Sequence, residues 1–262
     1  MAARLSSLRT LFARFAPLDA LRIVALLHLP FRLGRVIRFG RLAIEVRDNR
    51  SDAYVVFDVI GKDPYLRRYG RDRLTRARTI VDVGAHVGSF ALYAADIARD
   101  ARVVAFEPSS ETFALLARNV ARNAMSNVET RNAALGARAG RASLKLSRLN
   151  PGANTLHALP DHEVAGREDV AVASFSDFLA GVESIDFLKL DCEGAEYDVL
   201  LPLRPDELAK IGYVAMEYHL NVAGRSPQEL ATFLEANGFD VVVEPPEKPG
   251  FGYLYAESRN RQ

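Results

Sequence analysis

The chain predicts an α/β fold built on a mostly parallel sheet, and three observations carry that reading. Thr79 to Phe90, TIVDVGAHVGSF, is a short apolar run ending in Asp82, a turn on Gly84 and Gly88, and an apolar helical start. Val103 to Pro108, VVAFEP, is a second apolar run ending in an acid, Glu107. Strand, glycine turn, helix and second strand, with a carboxylate at each strand tip, is the unit that grips a nucleoside at the carboxyl ends of parallel strands. The third observation is the alternation of strand-like and helix-like segments from there on, closed by two strand-like runs with only PPEKPG between them. So short a gap cannot hold a crossover helix, so the last pair must be antiparallel.

The elements follow in order. Residues 1–50 hold ten arginines against three acids, Asp19, Glu45 and Asp48, a local balance of +7 in a chain of net charge +1. The rest of the chain is therefore mildly acidic, about −6, which argues against non-specific nucleic-acid binding through the main domain. LRTLFARF and DALRIVALLHLPFRLGRVIRF mix arginine with apolar residues at helical spacing. The reading is a helical appendage packed on the body, with peripheral contact to anionic lipid as the alternative. No apolar run reaches the ~20 residues that span a bilayer, and Arg22, Pro30 and Arg32 break the stretch a secretory signal would need. Leu42 to Ile60 reads as two extended runs around Asp48-Asn49-Arg50-Ser51, a hairpin. The expected division is a basic appendage at 1–54 and a main domain at 55–262.

Within the main domain the first core strand starts at Thr79, and Ser89 to Ala98 is a helix. Ser109 and Ser110 cap a helix through Ala124, on which Phe113, Leu116 and Val120 share a face. Val128 to Leu135 and Ala142 to Leu146 are strands around Gly136 to Gly140. Asn150 to Gly166 is an irregular loop of the kind that meets substrates. Asp169 to Ala173 is a strand, Ser176 caps the next helix, and Ile185 to Asp191 is a buried strand. Glu196 to Leu203 is a helix and Ile211 to His219 a strand. Ser226-Pro227-Gln228-Glu229 opens a helix that Gly238 closes. Phe239 to Glu244 and Gly252 to Glu257 are the final pair. This order resembles a Rossmann-like class I methyltransferase dependent on S-adenosylmethionine (SAM), with a seven-stranded, mostly parallel sheet and a C-terminal antiparallel strand. One cysteine, Cys192, fits a reducing compartment and a cytoplasmic location.

The candidate cofactor contacts cluster at the strand tips. A dinucleotide turn wants three glycines to approach a pyrophosphate; Gly84-Ala85-His86-Val87-Gly88 has two, which disfavours a nicotinamide enzyme. SAM has no phosphate. Asp82, Gly84, Ala85, His86, Gly88, Ser89 and Phe90 form its expected amino-acid end. Glu107, with Pro108, stands 19 residues past Gly88, where two acceptors can hold both ribose hydroxyls. Asn132 and Ala133 would flank the adenine. His86 reads as a solvent-facing turn residue without a catalytic role.

IDFLKLDCEGAEYDVL, Ile185 to Leu200, supplies the catalytic candidates. Alternation puts Phe187, Lys189 and Asp191 on one side, and a lysine inside an apolar strand is costly unless paired. Asp191 falls beside the expected methyl group, Glu193 follows in the loop, and Glu217 and His219 reach the same rim from the next strand. Lys189, Asp191, Glu193 and His219 are the catalytic candidates, with His219 best matched as a base by its ordinary pKa. Asp191, Glu196, Glu217 and His219 are the ligands if Mg²⁺ or Mn²⁺ takes part. For Glu196 the simpler reading is an acid in the first turn of a helix.

At these residues the chain resembles the FkbM-type SAM-dependent methyltransferases. VDVGAHVGSF, AFEP, NAALG at Asn132 to Gly136, FLKLDCEGAEYDVL and MEYH at 216–219 carry the likeness, over about residues 55–257. The resemblance implies O-methylation of a hydroxyl on a small molecule, sugar or glycan. It implies SAM held by Asp82, Gly84, Gly88 and Glu107, Asp191 beside the cofactor, and Gly152 to Leu156 on the substrate side. The rival readings are an RNA 2′-O-methyltransferase, against which the acidic body counts, and a non-catalytic binding protein on the same fold.

Overall fold

The computed structural model describes residues 2–28, 35–47, 49–148, 150–220, 222, 224–246 and 250–261. The chain opens with helices α1 (Ala2–Arg14) and α2 (Pro17–His28), then a hairpin of β1 (Val36–Phe39) and β2 (Leu42–Glu45). Helix α3 (Arg50–Val56) runs directly into a π-helical turn, Phe57–Lys62, and α4 (Gly70–Thr75) follows. The core alternates β3 (Thr79–Val83), α5 (Ser89–Ile97), β4 (Arg102–Phe106), α6 (Ser110–Arg122) and β5 (Val128–Arg131). Three strands come next, β6 (Ala134–Gly136), β7 (Gly140–Ser147) and β8 (Val164–Ser174). Then come α7 (Phe175–Ala180), β9 (Ile185–Leu190), α8 (Glu196–Leu200), α9 (Pro205–Leu208), β10 (Ile211–His219), α10 (Pro227–Ala236), β11 (Phe239–Val243) and β12 (Phe251–Ser258).

Seven strands form the main sheet in the order β11-β12-β10-β9-β3-β4-β5. Only β12 runs against its neighbours, as the short gap before it requires. The central strands read as continuous apolar runs because helices or loops cover both faces. One layer of core is built from Ile80, Val103, Phe187 and Ala215 with α5 and the N-terminal helices. The other is built from Val81, Val104, Leu188 and Val214 with α7, α8 and α10. Strand order reverses between β3 and β9, so a crevice opens at their carboxyl ends.

Several local expectations change on packing. The hairpin lies earlier than expected, turning at Gly40-Arg41, and residues 50–62 are helical, not extended. Asn49 explains the start of α3: its side chain accepts the Asp52 N–H at 2.8 Å, an N-cap. The expected boundary at 54/55 falls inside α3, and Asp48 lies outside the described residues. The run from Val128 to Leu135 breaks at Asn132 into two strands of different sheets. The cap of α7 is Ser174, whose Oγ accepts from Asp177 N–H at 3.1 Å, in place of Ser176. Val164 already belongs to β8, so the loop ends three residues sooner and holds two short 3₁₀ turns.

The N-terminal hairpin is docked by two amides of α6. Asn123 accepts from Ala43 N–H at 2.8 Å and donates to Ala43 C=O at 3.0 Å. Asn119, fully buried, accepts from Glu45 N–H at 2.7 Å and donates to Glu45 C=O and Val87 C=O at 2.9 Å each. The edge of β2 thus finds partners without another strand. Leu11, Phe15, Ala20 and Ile23 bury one face of α1 and α2 against the body, while Leu8, Phe12, Leu18 and Leu21 stay exposed. No helix among the described residues is long and apolar enough to cross a membrane.

Candidate active site

The crevice is a cavity of about 890 Å³. Its first wall is the turn after β3. Gly84 has φ +75°, and a Cβ there would sit 1.7 Å from the Asp191 carbonyl oxygen, so no other residue fits. Gly84 and Ala85 N–H both donate to Phe106 C=O, at 3.0 and 2.9 Å, which folds the turn against the tip of β4. Glu107 is buried there, accepting His86 N–H on one oxygen and Ser109 N–H on the other, each at 3.0 Å. Burial raises its carboxyl to about 7 against the pull of those amides.

His86 departs from its expectation. Its backbone is left-handed at φ +51° and its ring is buried. Its Nε2 lies 3.3 Å from Arg47 Nη2 and 3.4 Å from Asp52 Oδ1. Arg47 and Asp52 form a two-pronged pair, at 3.0 and 2.9 Å, below the turn. Burial drives the His86 imidazole down to about 4, so it is neutral near pH 7.

The second wall is the tip of β9. Lys189 pairs in register with Asp82 across the parallel strands, and Nζ reaches Asp82 Oδ1 at 2.9 Å, an ion-pair contact rather than a directed hydrogen bond. Nζ also donates to Gly84 C=O at 2.8 Å and lies 3.8 Å from Asp191 Oδ2. Burial would lower the ammonium's pKa, but Asp82 and Asp191 outweigh it and hold it raised. Lys189 therefore fastens the first strand tip to the second. Asp191 takes a 2.7 Å hydrogen bond from the Tyr65 hydroxyl, a partner from well outside the strand.

The third wall is the loop after β9 with the tip of β10. Glu196 Oε1 accepts from Cys192 N–H at 3.0 Å, Gly194 N–H at 3.2 Å and His219 Nδ1 at 3.0 Å. It is buried and ionised, its pKa held down by His219 and those amides against burial. His219 Nε2 lies 3.3 Å from Glu193 and 3.6 Å from Glu217. Burial opposes the imidazolium, but Glu196 and Glu193 raise its pKa well above the ordinary value. The acids around His219 thus favour its protonated form, whereas a resting base needs the neutral one. Burial and the neighbouring acids push Glu217 well up, and burial with Asp191 and Glu196 raises Glu193 to about 7.

Lys189, Asp191, Glu193, Glu217 and His219 line the same cavity as Gly84, Ala85, His86, Ser89, Phe90, Glu107, Pro108 and Ala133. Asp82, Gly88, Asn132 and Glu196 stand behind it. Gly88 closes the turn at φ +92°, and Asn132 donates to Glu107 C=O at 2.9 Å and Pro108 C=O at 3.0 Å. Ligand atoms of Asp191, Glu217 and His219 come within 4.8 Å of one another. Glu196 gives Oε1 to His219 and the loop amides, keeps Oε2 without a partner, and stands outside that cluster. Sequence reasoning missed Tyr65, Arg47 and Asp52, which lie far in sequence from the motifs. Thr155, within the expected substrate-side stretch Gly152 to Leu156, donates its hydroxyl to Glu193 C=O at 2.6 Å.

The cavity suits a nucleoside bearing an amino acid. The Gly84 turn leaves no side chain in the way. Ser89 Oγ and His86 Nδ1 are buried without a partner on the cavity wall, and each Glu107 oxygen keeps a lone pair beside its amide bond. Sheet order, glycine turn and paired strand-tip acids define a class I methyltransferase fold. The Methyltransferase FkbM domain matches residues 82–241, and the chain belongs to that family. It is 31% identical over 187 residues to Methyltransferase 1 of Beauveria bassiana, covering 64% of this chain and 74% of that one. It is 28% identical to the 31-O-demethyl-FK506 methyltransferase FkbM of Streptomyces tacrolimicus, over 75% of this chain and 85% of that one. The solved FkbM methyltransferase from Methylobacillus flagellatus superposes with a TM-score of 0.51 at 15% identity, covering 97% of this chain and 59% of that one. The comparisons lend a metal ion no support.

Proposed function

We propose that this methyltransferase moves the methyl group of SAM to a hydroxyl oxygen on a small molecule, sugar or glycan. The observation that carries the reading is the meeting, in one cavity, of a nucleoside-shaped turn with a buried, proton-accepting acid cluster. The name of the Streptomyces relative, a 31-O-demethyl-FK506 methyltransferase, supports an oxygen acceptor.

SAM supplies an electrophilic methyl on a sulfonium that is already a good leaving group. The protein's part is then positioning and proton removal. Glu107 holds the ribose and the Gly84 turn the amino-acid end. Asp191, oriented by Lys189 and Tyr65, faces the methyl side. Glu193 takes the acceptor's proton, because its carboxyl titrates near neutral pH and faces the cavity. His219, clamped by Glu196, keeps Glu193 in place and stabilises the charge left on the cluster.

A divalent cation on Asp191, Glu217 and His219 is the second reading, favoured by their spacing. It would acidify the hydroxyl directly. Titration calorimetry with SAM and its demethylated product, followed by labelled methyl transfer to a panel of hydroxylated acceptors, tests the proposal. Absence of affinity for both nucleosides in folded protein would overturn it. Full activity after exhaustive chelation removes the cation reading.

A further inference from the structure

The segment just ahead of the family domain builds a wall of the same cavity. Ser51, Tyr54, Val55 and Asp58 follow i, i+3, i+4, i+7 spacing, so they share one face of α3 and its π-helical extension. All four are half-buried and line the cavity, while Asp52, Ala53, Val56 and Phe57 between them are buried in the body. A π-turn in a helix is frequently a functional feature. The segment is fastened at both ends: Asp52 to Arg47 and His86 under the cofactor turn, and Tyr65 to Asp191 at the methyl side. It is also joined to the far wall, where Gly152 N–H donates to Ser51 Oγ at 3.3 Å and Ser51 donates to Asn150.

Acids outnumber cations on the cavity lining, although Asp58 is itself paired with Lys62. Asp58, Glu163, Asp191, Glu193 and Glu217 line it. Lys189 is held by Asp82, Asp191 and Gly84 C=O, and His219 by Glu196 and Glu193. The remaining lining cation among the described residues, Arg50, is exposed at the first residue of α3. Tyr54 and Phe251 add aromatic surface. Aromatic rings with carboxylates and the Asn154 amide suit a ring bearing several hydroxyls, with or without an amine; they repel a phosphate or carboxylate.

We infer that the Ser51, Tyr54, Val55 and Asp58 face is the acceptor subsite, and that it selects a neutral or amino-bearing polyhydroxylated ring over an anionic one. This rests on the methyl-transfer reading above. Tyr54 stacks on the ring, and Asp58, tied to Lys62, accepts from a hydroxyl or ammonium.

The test uses the full chain with labelled SAM and four monosaccharide classes: neutral glycosides, amino sugars, sugar phosphates and uronic acids. Neutral or amino members should be methylated and the anionic ones not. Tyr54→Ala and Asp58→Asn should each raise the acceptor KM by roughly ten-fold, the loss of one stacking or hydrogen-bond contact. SAM affinity and thermal midpoint should stay as in the parent, and Tyr54→Phe should restore the KM. Transfer confined to anionic members, or no transfer to any class, overturns the inference. So does an unchanged KM in both variants. Failure of the parent chain to bind SAM strikes the methyl-transfer reading instead, which keeps the two outcomes apart.

Discussion

At the scale of single residues, charge state is the decisive quantity. Lys189 and Asp82 are buried at 3% and 0% exposure, so neither can be left alone. Removing one partner of such a pair costs about 3–5 kcal/mol. Lys189→Met should lower the unfolding free energy by that order in denaturant titration, and adding Asp82→Asn should recover much of it. His86 gives a pH signature. Its folded pKa of about 4 lies below the ordinary 6.5, so the unfolded chain binds the proton first on acidification. Stability therefore falls as pH drops through 6.5 toward 4, by about 2 kcal/mol at pH 5. His86→Asn, which tolerates the left-handed backbone, should flatten that slope in thermal melts. Glu193 gives the opposite kind of signature, in rate. A base titrating near 7 makes kcat/KM rise as pH increases through 7, and Glu193→Gln should abolish that limb while SAM still binds.

At the scale of elements, two connections carry the site. The β3–α5 turn admits no side chain at Gly84, because Asp191 C=O occupies the place of a Cβ. Gly84→Ala should abolish SAM binding in calorimetry and lower the melting temperature together, since the same contact sets both. The α6–β2 dock depends on Asn119. Asn119→Leu strands Glu45 N–H and C=O and the Val87 carbonyl, at about 1–3 kcal/mol for each buried group left unpaired. Hydrogen exchange should show β2 opening before the main sheet in that variant. Neither connection can be judged from helix or strand propensity. Each depends on what a distant element brings to it.

At the scale of the whole molecule, the N-terminal region and the catalytic body share one core. Leu11, Phe15 and Ile23 each lose nearly all their exposure against it. Burial of that size is worth about 1.5–3 kcal/mol per side chain, as an upper figure. Deleting residues 1–28 should therefore remove several kcal/mol from a fold whose total is about 5–15 kcal/mol. A truncated chain with an undiminished melting temperature would show that these helices are dispensable to the body. The shared core also includes Ala53, Val56 and Phe57, the buried side of the wall ahead of the family domain.

The alternation of strands and helices along the chain, the antiparallel finish, the glycine turn and the acids at three strand tips are legible from spacing alone; the order of the strands in the sheet is not. The strand and turn signals are short-range, since alternation and a turn's need for positive φ act within a few residues, whereas the nearest acid to Lys189 is Asp82 on another strand. Asp82, Gly84, Glu107, Lys189 and Asp191 were picked out by their strand and turn positions. Helix α3 was read as a strand because its β-branched and aromatic residues suit both, and only its packing on α2, with its π-helical extension on α5, resolves the choice. Tyr65 on Asp191, Asp52 under His86 and Glu196 on His219 join segments 126, 34 and 23 positions apart. No local pattern encodes such pairs, and protonation states follow from the burial they create. The acids that folding gathers around His219 raise its pKa well above the ordinary value on which it was proposed as a base, and burial raises Glu193 to about 7.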